Sequence, residues 1–307
     1  MVSKSLKDLP QDIYDLLEGK SPIAPGLLSS SLLTGGPLPE DFGKSILDLL
    51  NYNNNKGSSE DKDKPTLRAS NLGKPLRQLW FECHGYPGEP IEGKALLKFN
   101  YGHLIEDLVL MLAELAGHEV TRRQEEINVD GIVGHIDCVL DGVLIDIKSC
   151  SPHSFKKFKD GSLLLEGNDP FAYVAQASTY ATALQLPFAW VAVEKVSGEI
   201  CVLELPEERI KQYDIRSRIK LVRETVNSDE MPPRCFDDEP DGKSGNRTLC
   251  TTCSYCPYKE TCWSDANDGK GLKLYFYSGK PRFLTKVVRE PKVPSYDNPF
   301  NFPIKEE

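Results

Sequence analysis

Apolar residues recur at near-helical spacing over 94–116, where Leu96, Leu97, Leu104, Leu108, Leu112 and Leu115 predict one amphipathic helix. Gly117 follows as a natural stop. Three strand-like runs come next, at 126–129, 131–140 and 143–149. Asp141-Gly142 separates the last two, and an Asp-Gly pair between alternating apolar runs predicts a hairpin. A helix is expected over 171–183 and a second hairpin over 189–196 and 200–204, around Ser197-Gly198. A long charged helix is expected over 206–226. No internal repeat is found. This order predicts an α/β core, with a mixed central sheet flanked by helices.

The first 66 residues read differently, as an N-terminal extension with short helices at 9–18 and 41–50. Between them lies a stretch rich in Pro, Gly and Ser, and 51–65 is a linker with almost no apolar content. A core domain is expected over 67–264, followed by a basic tail over 265–307.

A chain of 307 residues, 39% hydrophobic and 27% charged, can bury a sizeable core. No apolar run reaches the roughly 18 residues of a membrane span, so no membrane partner is expected. The start, MVSKSLKDLPQD, lacks the apolar centre of a secretory signal, which points to the cytoplasm. The balance of 37 basic against 46 acidic residues, net −9, argues against a general coat of nucleic acid but leaves room for a local groove. Basic residues gather at Lys156, Lys157 and Lys159, over 209–223 and over 270–292. Phe155, Phe158, Tyr275 and Tyr277 beside them are candidates to stack on unpaired bases.

Nine cysteines do not suggest a disulfide framework in such a chain. Cys250, Cys253, Cys256 and Cys262 fall within 13 residues, a clustering that points to a metal or an iron–sulfur cluster. Cys138, Cys150, Cys201 and Cys235 read as ordinary core or surface residues.

The richest chemistry lies in GHIDCVLDGVLIDIKS, residues 134–149. Period-two alternation puts Asp146 and Lys148 on one face of a strand, with Ile145 and Ile147 on the other, and Asp137 on the strand alongside. Charges on strands otherwise made of Val, Ile and Leu are costly to bury unless compensated. Magnesium or manganese would compensate them: Asp137 and Asp146 supply hard oxygens, and the Ile147 carbonyl can add a third. Lys148 can orient the attacking water and stabilise developing phosphorane charge. The alternative is a surface ion pair on an exposed strand edge. Upstream, His103 and Glu106 share one helix face; downstream, Gln176 and Tyr180 share another.

Taken in order, GH at 102–103, GHID at 134–137, DIK at 146–148 and QASTY at 176–180 resemble the RecB-like exonuclease branch of the PD-(D/E)XK nuclease superfamily, over about 67–263. The resemblance implies a restriction-endonuclease-like core with His103, Asp137 and Asp146 as metal ligands. It also implies that Lys148 is catalytic, that Gln176 and Tyr180 complete the site, and that Glu106 plays an outer part. Cys253-x2-Cys256-x5-Cys262 resembles the iron–sulfur members, which include the AddB nuclease domain and the CRISPR-associated RecB-like exonucleases. Their fourth cysteine precedes the first helix, where this chain has Pro75. Cys83 or Cys250 is then the expected fourth ligand of a 4Fe–4S cluster, with structural zinc as the alternative.

The expectation is a metal-dependent DNA exonuclease in recombination, repair or phage DNA metabolism. It would act on free ends, single-stranded or duplex. No GxxxxGKS or GxxxxGKT motif for unwinding occurs, so a helicase, recombinase or single-strand-binding protein is a candidate partner. The competing expectations are a non-catalytic DNA-binding or scaffold protein on the same fold, and an endonuclease.

Overall fold

The computed structural model describes residues 4–18, 20, 43–44, 67–91 and 93–296. The helix expected at 41–50 and its flanking linkers fall almost wholly outside them. In chain order the helices are α1 (Leu9–Leu17), α2 (Leu76–Cys83), α3 (Gly93–Leu115), α4 (Pro152–Lys159), α5 (Tyr173–Leu184), α6 (Glu207–Gln212) and α7 (Ile215–Val226). One-turn helices at Thr251–Ser254 and Lys259–Cys262 follow. The strands are β1 (Val120–Thr121), β2 (Glu126–Val129), β3 (Ile132–His135), β4 (Cys138–Leu140), β5 (Val143–Cys150), β6 (Phe188–Glu194) and β7 (Ile200–Leu205). Beyond them come β8 (Glu239–Pro240), β9 (Arg247–Thr248), β10 (Lys273–Tyr277), β11 (Lys280–Lys286) and β12 (Ser295–Tyr296). No helix among the described residues is long and apolar enough to cross a membrane.

The chain divides into two compact units, Met1–Gly73 with Ile91–Lys220, and Lys74–Pro90 with Leu221–Glu307. The core domain expected over 67–264 is therefore shared between them. The first unit is an α/β fold around a mixed sheet of order β1-β4-β5-β6-β7, with β5 and β6 parallel and the other neighbours antiparallel. Leu9, Ile13 and Leu16 of α1, spaced for one helix face, pack with Val109–Ala113 of α3 against Ile145, Ile147, Ala189 and Val191. Strand β5 pairs with β4 only over Val143–Ile145 and with β6 over Leu144–Cys150, so at Asp146 and Lys148 its strand neighbour is β6. Beyond the end of the β4 pairing, the Ile147 N–H donates to Asp137 Oδ2.

Three elements differ from expectation. The run 131–140 breaks at Ile136–Asp137, because β3 pairs with β2 whereas β4 pairs with β5. Backbone bonds from Ile136 N to Glu125 O (3.1 Å) and from Gln124 N to Asp137 O (3.0 Å) cover the break. The helix expected over 206–226 splits because Asp214 starts a second one, its carboxylate accepting from the Ser217 N–H at 3.0 Å. The unforeseen α4 begins where the Ser151 hydroxyl accepts from Ser154 N–H and a proline occupies the first turn. It lies on the crossover from β5 to β6 and buries Phe155 and Phe158, the latter 6.2 Å from the Trp190 ring.

In the second unit, α2 is held by C-terminal residues. Trp80 Nε1 donates to Ser228 O at 2.8 Å, and Arg77 Nη1 to Pro232 O at 3.2 Å. Phe81 stacks on Tyr258 with centroids 5.5 Å apart. Glu89 N–H donates to Pro257 O at 2.8 Å, and the Glu89 carboxylate pairs with buried Lys259. The expected basic tail contributes β10, β11 and β12 to an antiparallel sheet of order β12-β10-β11-β9-β8. The aromatic expectation changes accordingly: Phe155, Phe158 and Tyr275 are core residues, closed to stacking on bases.

Candidate active site and cysteine cavity

Strand alternation delivers Asp146 and Lys148 to the same face, as expected. The Lys148 ammonium lies 2.7 Å from the Asp146 carboxylate and 5.1 Å from the centroid of the Tyr173 ring. Asp146 is only 7% exposed, and its Oδ2 accepts no well-formed hydrogen bond. Asp137 sits at the break between β3 and β4, where its Oδ2 accepts from Ile147 N–H at 2.9 Å. From α3, Glu106 enters the same field and accepts from Gln124 Nε2 at 2.8 Å.

These groups act on one another. Burial first, then the Asp146 charge, pushes the Asp137 carboxyl up to about 7, against the relief given by Lys148 and the Ile147 N–H. Burial, then Asp137, Asp107 and Asp146, pushes Glu106 up to about 8. Burial alone would lower the Lys148 ammonium; Asp146 and Asp137 outweigh it and hold it well above the usual lysine range. Carboxyls forced up to neutrality mark a place where negative charge is concentrated without enough compensation.

His103 is not drawn into this group: it is exposed, and the carboxylate it acts on is Asp107. Glu106, given an outer part by the sequence, is the helix residue that meets the two aspartates. The signal was its place one turn beyond His103 on the same face. Tyr173 and Gln124 were missed, since only folding sets them beside Lys148 and Glu106. Tyr180 is 4% exposed, hydrogen-bonds with Gln176 and Ser70, and lies within the field of Asp146 and Asp137. A Cβ on Gly134 would come within 2.6 Å of Ala69 Cβ and 3.0 Å of Tyr180 Cε1. The glycine of the GHID run and the tyrosine of the QASTY run are thus one packing unit. Of the three lysines after β5, Lys157 donates to Asn168 O at 2.9 Å and Lys159 pairs with Glu199, which leaves less of the expected phosphate track.

Among the described residues, no three His, Cys, Asp or Glu side chains converge closely enough to hold a metal ion as they stand. Each carboxylate is instead held by its own partner: Glu106 by Gln124, Asp137 by the Ile147 N–H and Asp146 by Lys148. The donor set still fits a hard divalent cation, because it offers carboxylate oxygens in a field that one added cation would relieve. Among them is the buried Asp146 Oδ2, which has the Lys148 ion pair but no hydrogen bond.

In the second unit, an apolar-walled cavity of about 30 Å³ is lined by Pro75, Arg77, Cys235, Cys253, Cys256 and Cys262 with their neighbours. It brings together the three cysteines of the C-x2-C-x5-C run and adds Cys235, which the sequence reading treated as ordinary. Cys83 and Cys250 are not on its walls. Cys83 ends α2, where burial and then Glu82 raise its thiol, and Cys250 hydrogen-bonds with Cys253.

The first unit is an α/β fold whose mixed sheet presents an aspartate–lysine pair beside two further carboxyls. Comparison with protein-family models and with curated proteins gives no match. Among solved structures the chain is similar to a phage-related exonuclease from Haemophilus somnus 129PT, at 17% identity and TM-score 0.37 over 52% of this chain and 93% of that one. It is also similar to LHK-Exo in complex with dAMP, at 14% identity and TM-score 0.37 over 53% of this chain and 90% of that one. LHK-Exo is an alkaline exonuclease from Laribacter hongkongensis. Neither likeness assigns an activity to this chain.

Proposed function

We propose that this chain is a divalent-metal-dependent deoxyribonuclease that hydrolyses phosphodiester bonds from DNA ends. The observation that carries the reading is the gathering of Glu106, Asp137 and Asp146 around Lys148. There burial first, and then the neighbouring carboxylates, push Glu106 up to about 8 and Asp137 up to about 7, against the relief given by Lys148. Bound magnesium or manganese would neutralise this charge and polarise a phosphate oxygen. Asp137 and Asp146 would hold it, with Glu106 and the Ile147 carbonyl available as further oxygens. The Ile147 N–H fixes the Asp137 carboxylate. In the metal-free chain Asp146 and Asp137 favour the protonated form of Lys148 against burial, so it can offer positive charge to the scissile phosphate. Tyr173 supports Lys148 from its ring face, and Tyr180 with Gln176 walls the same site.

The test is incubation of purified protein with end-labelled linear DNA and closed circular DNA, in manganese and in EDTA. Progressive shortening of linear DNA in manganese only, with circles intact, is the expected result. Rapid linearisation of circles would assign an endonuclease. No metal-dependent cleavage of either would overturn the reading in favour of a non-catalytic binding protein.

A further inference from the structure

The cysteine cavity belongs to the second unit and shares no lining residue with the acidic site. Its walls bring Cys235 to Cys253, Cys256 and Cys262, although Cys235 is 18 residues before Cys253 in the sequence. The preceding residue anchors it. Arg234 donates from Nε (3.1 Å) and Nη2 (2.7 Å) to the Cys262 carbonyl, and its guanidinium lies 4.1 Å from the centroid of the Trp263 ring. Arg234 also pairs with Asp265. Arg77 holds Pro232 just upstream at 3.2 Å, so the backbone leading to Cys235 is tied at two points.

We propose that Cys235 is the fourth thiolate, with Cys253, Cys256 and Cys262, of a structural metal centre in this cavity. The ligand chemistry is that of a soft, thiolate-seeking centre, either zinc or an iron–sulfur cluster. Four thiolates around either give a net anionic group, and the surroundings suit one. Arg234, bonded to the Cys262 carbonyl, sets its guanidinium on the cavity wall. Arg77 also lines the cavity, and its Nε is buried without a hydrogen-bond acceptor. A sulfur ligand is an acceptor suited to that donor. Pro75, on the same wall, offers no ligand. Residues 231–238 have no helix or strand, so Cys235 can close on the other three without breaking an element. Ligation would then tie this segment to the cysteine run.

The test uses the full chain, purified without oxygen, with zinc, iron and sulfide measured per chain. About one zinc, or about four irons with sulfide and absorbance near ~400 nm, is expected. Cys235→Ser should lower the metal retained through gel filtration with chelator at least ~10-fold, whereas Cys83→Ser and Cys250→Ser should retain it. Iodoacetamide labelling of the wild-type chain removes any dependence on the variant's folding. Cys235 is an exposed cysteine, so it should be labelled quickly after chelation, and ligation should protect it in the loaded protein. Quick labelling of Cys235 in loaded protein, full metal retention by Cys235→Ser, or a wild-type chain without metal would each overturn the proposal.

Discussion

Replacing Asp137 by asparagine should make the metal-free protein more stable while abolishing the proposed metal-dependent cleavage. The native carboxyl is pushed from its ordinary 3.8 to about 7, so at pH above 8 the folded chain carries a charge that burial and Asp146 disfavour. Three units at ~1.4 kcal/mol each set an upper bound of about 4 kcal/mol. Asparagine keeps an oxygen for the Ile147 N–H, but its amide N–H groups must also be buried. A net gain of about 2–3 kcal/mol is expected, or roughly 5–10 °C in Tm for a unit of this size. The sign follows from linkage. With the folded pKa raised, the native state still holds its proton where the unfolded state has lost it. The advantage of this neutral carboxyl is full below about pH 4 and lost as pH rises to about 7. The gap between variant and wild type should therefore open from about pH 4 to about pH 7 and then level off. Manganese should reverse the order. At a hundredfold excess over Kd it adds ~3 kcal/mol to the wild type and little to the variant. The assay is thermal unfolding in EDTA and in manganese at pH 5, 7 and 8.5. Equal or lower stability of the variant at pH 8.5 in EDTA, or a gap independent of pH, would refute the reasoning.

Lys148→Met should abolish cleavage yet leave manganese binding measurable by calorimetry. It should cost about 3–5 kcal/mol in urea unfolding without metal, because Asp146 loses its counter-charge in a buried setting. Gly134→Ala should cost about 1–3 kcal/mol and reduce cleavage together, since its methyl group must displace Ala69 or Tyr180. A variant with wild-type stability and rate would contradict that packing. Trp80→Ala should lower the stability of the second unit by about 3–5 kcal/mol and expose 74–90 to limited proteolysis, while β5 and its site keep their hydrogen-exchange protection. Unchanged proteolysis would show that α2 is held by other contacts.

Periodicity alone located α1, α3, the β4–β5 hairpin and the β6–β7 pair, because each is set by local alternation and by a turn such as Asp141-Gly142. It also put Asp146 and Lys148 on one strand face, a consequence of backbone geometry that needs no tertiary contact. The parallel pairing of β5 with β6 was beyond it: that pairing joins residues some forty positions apart, through a crossover whose α4 is too short and too lysine-rich to announce itself. That pairing gives Asp146 and Lys148 their strand neighbour, and the packing around it leaves Asp146 only 7% exposed. The effect of Asp137 on Glu106 was likewise set in three dimensions, since Glu106 and His103 share a helix face and only packing decides which charges each one feels. Cys235 shows the same limit. Spacing marks Cys253, Cys256 and Cys262 because they are close in sequence, whereas Cys235 reaches them through the bonds of Arg234, which no local pattern encodes.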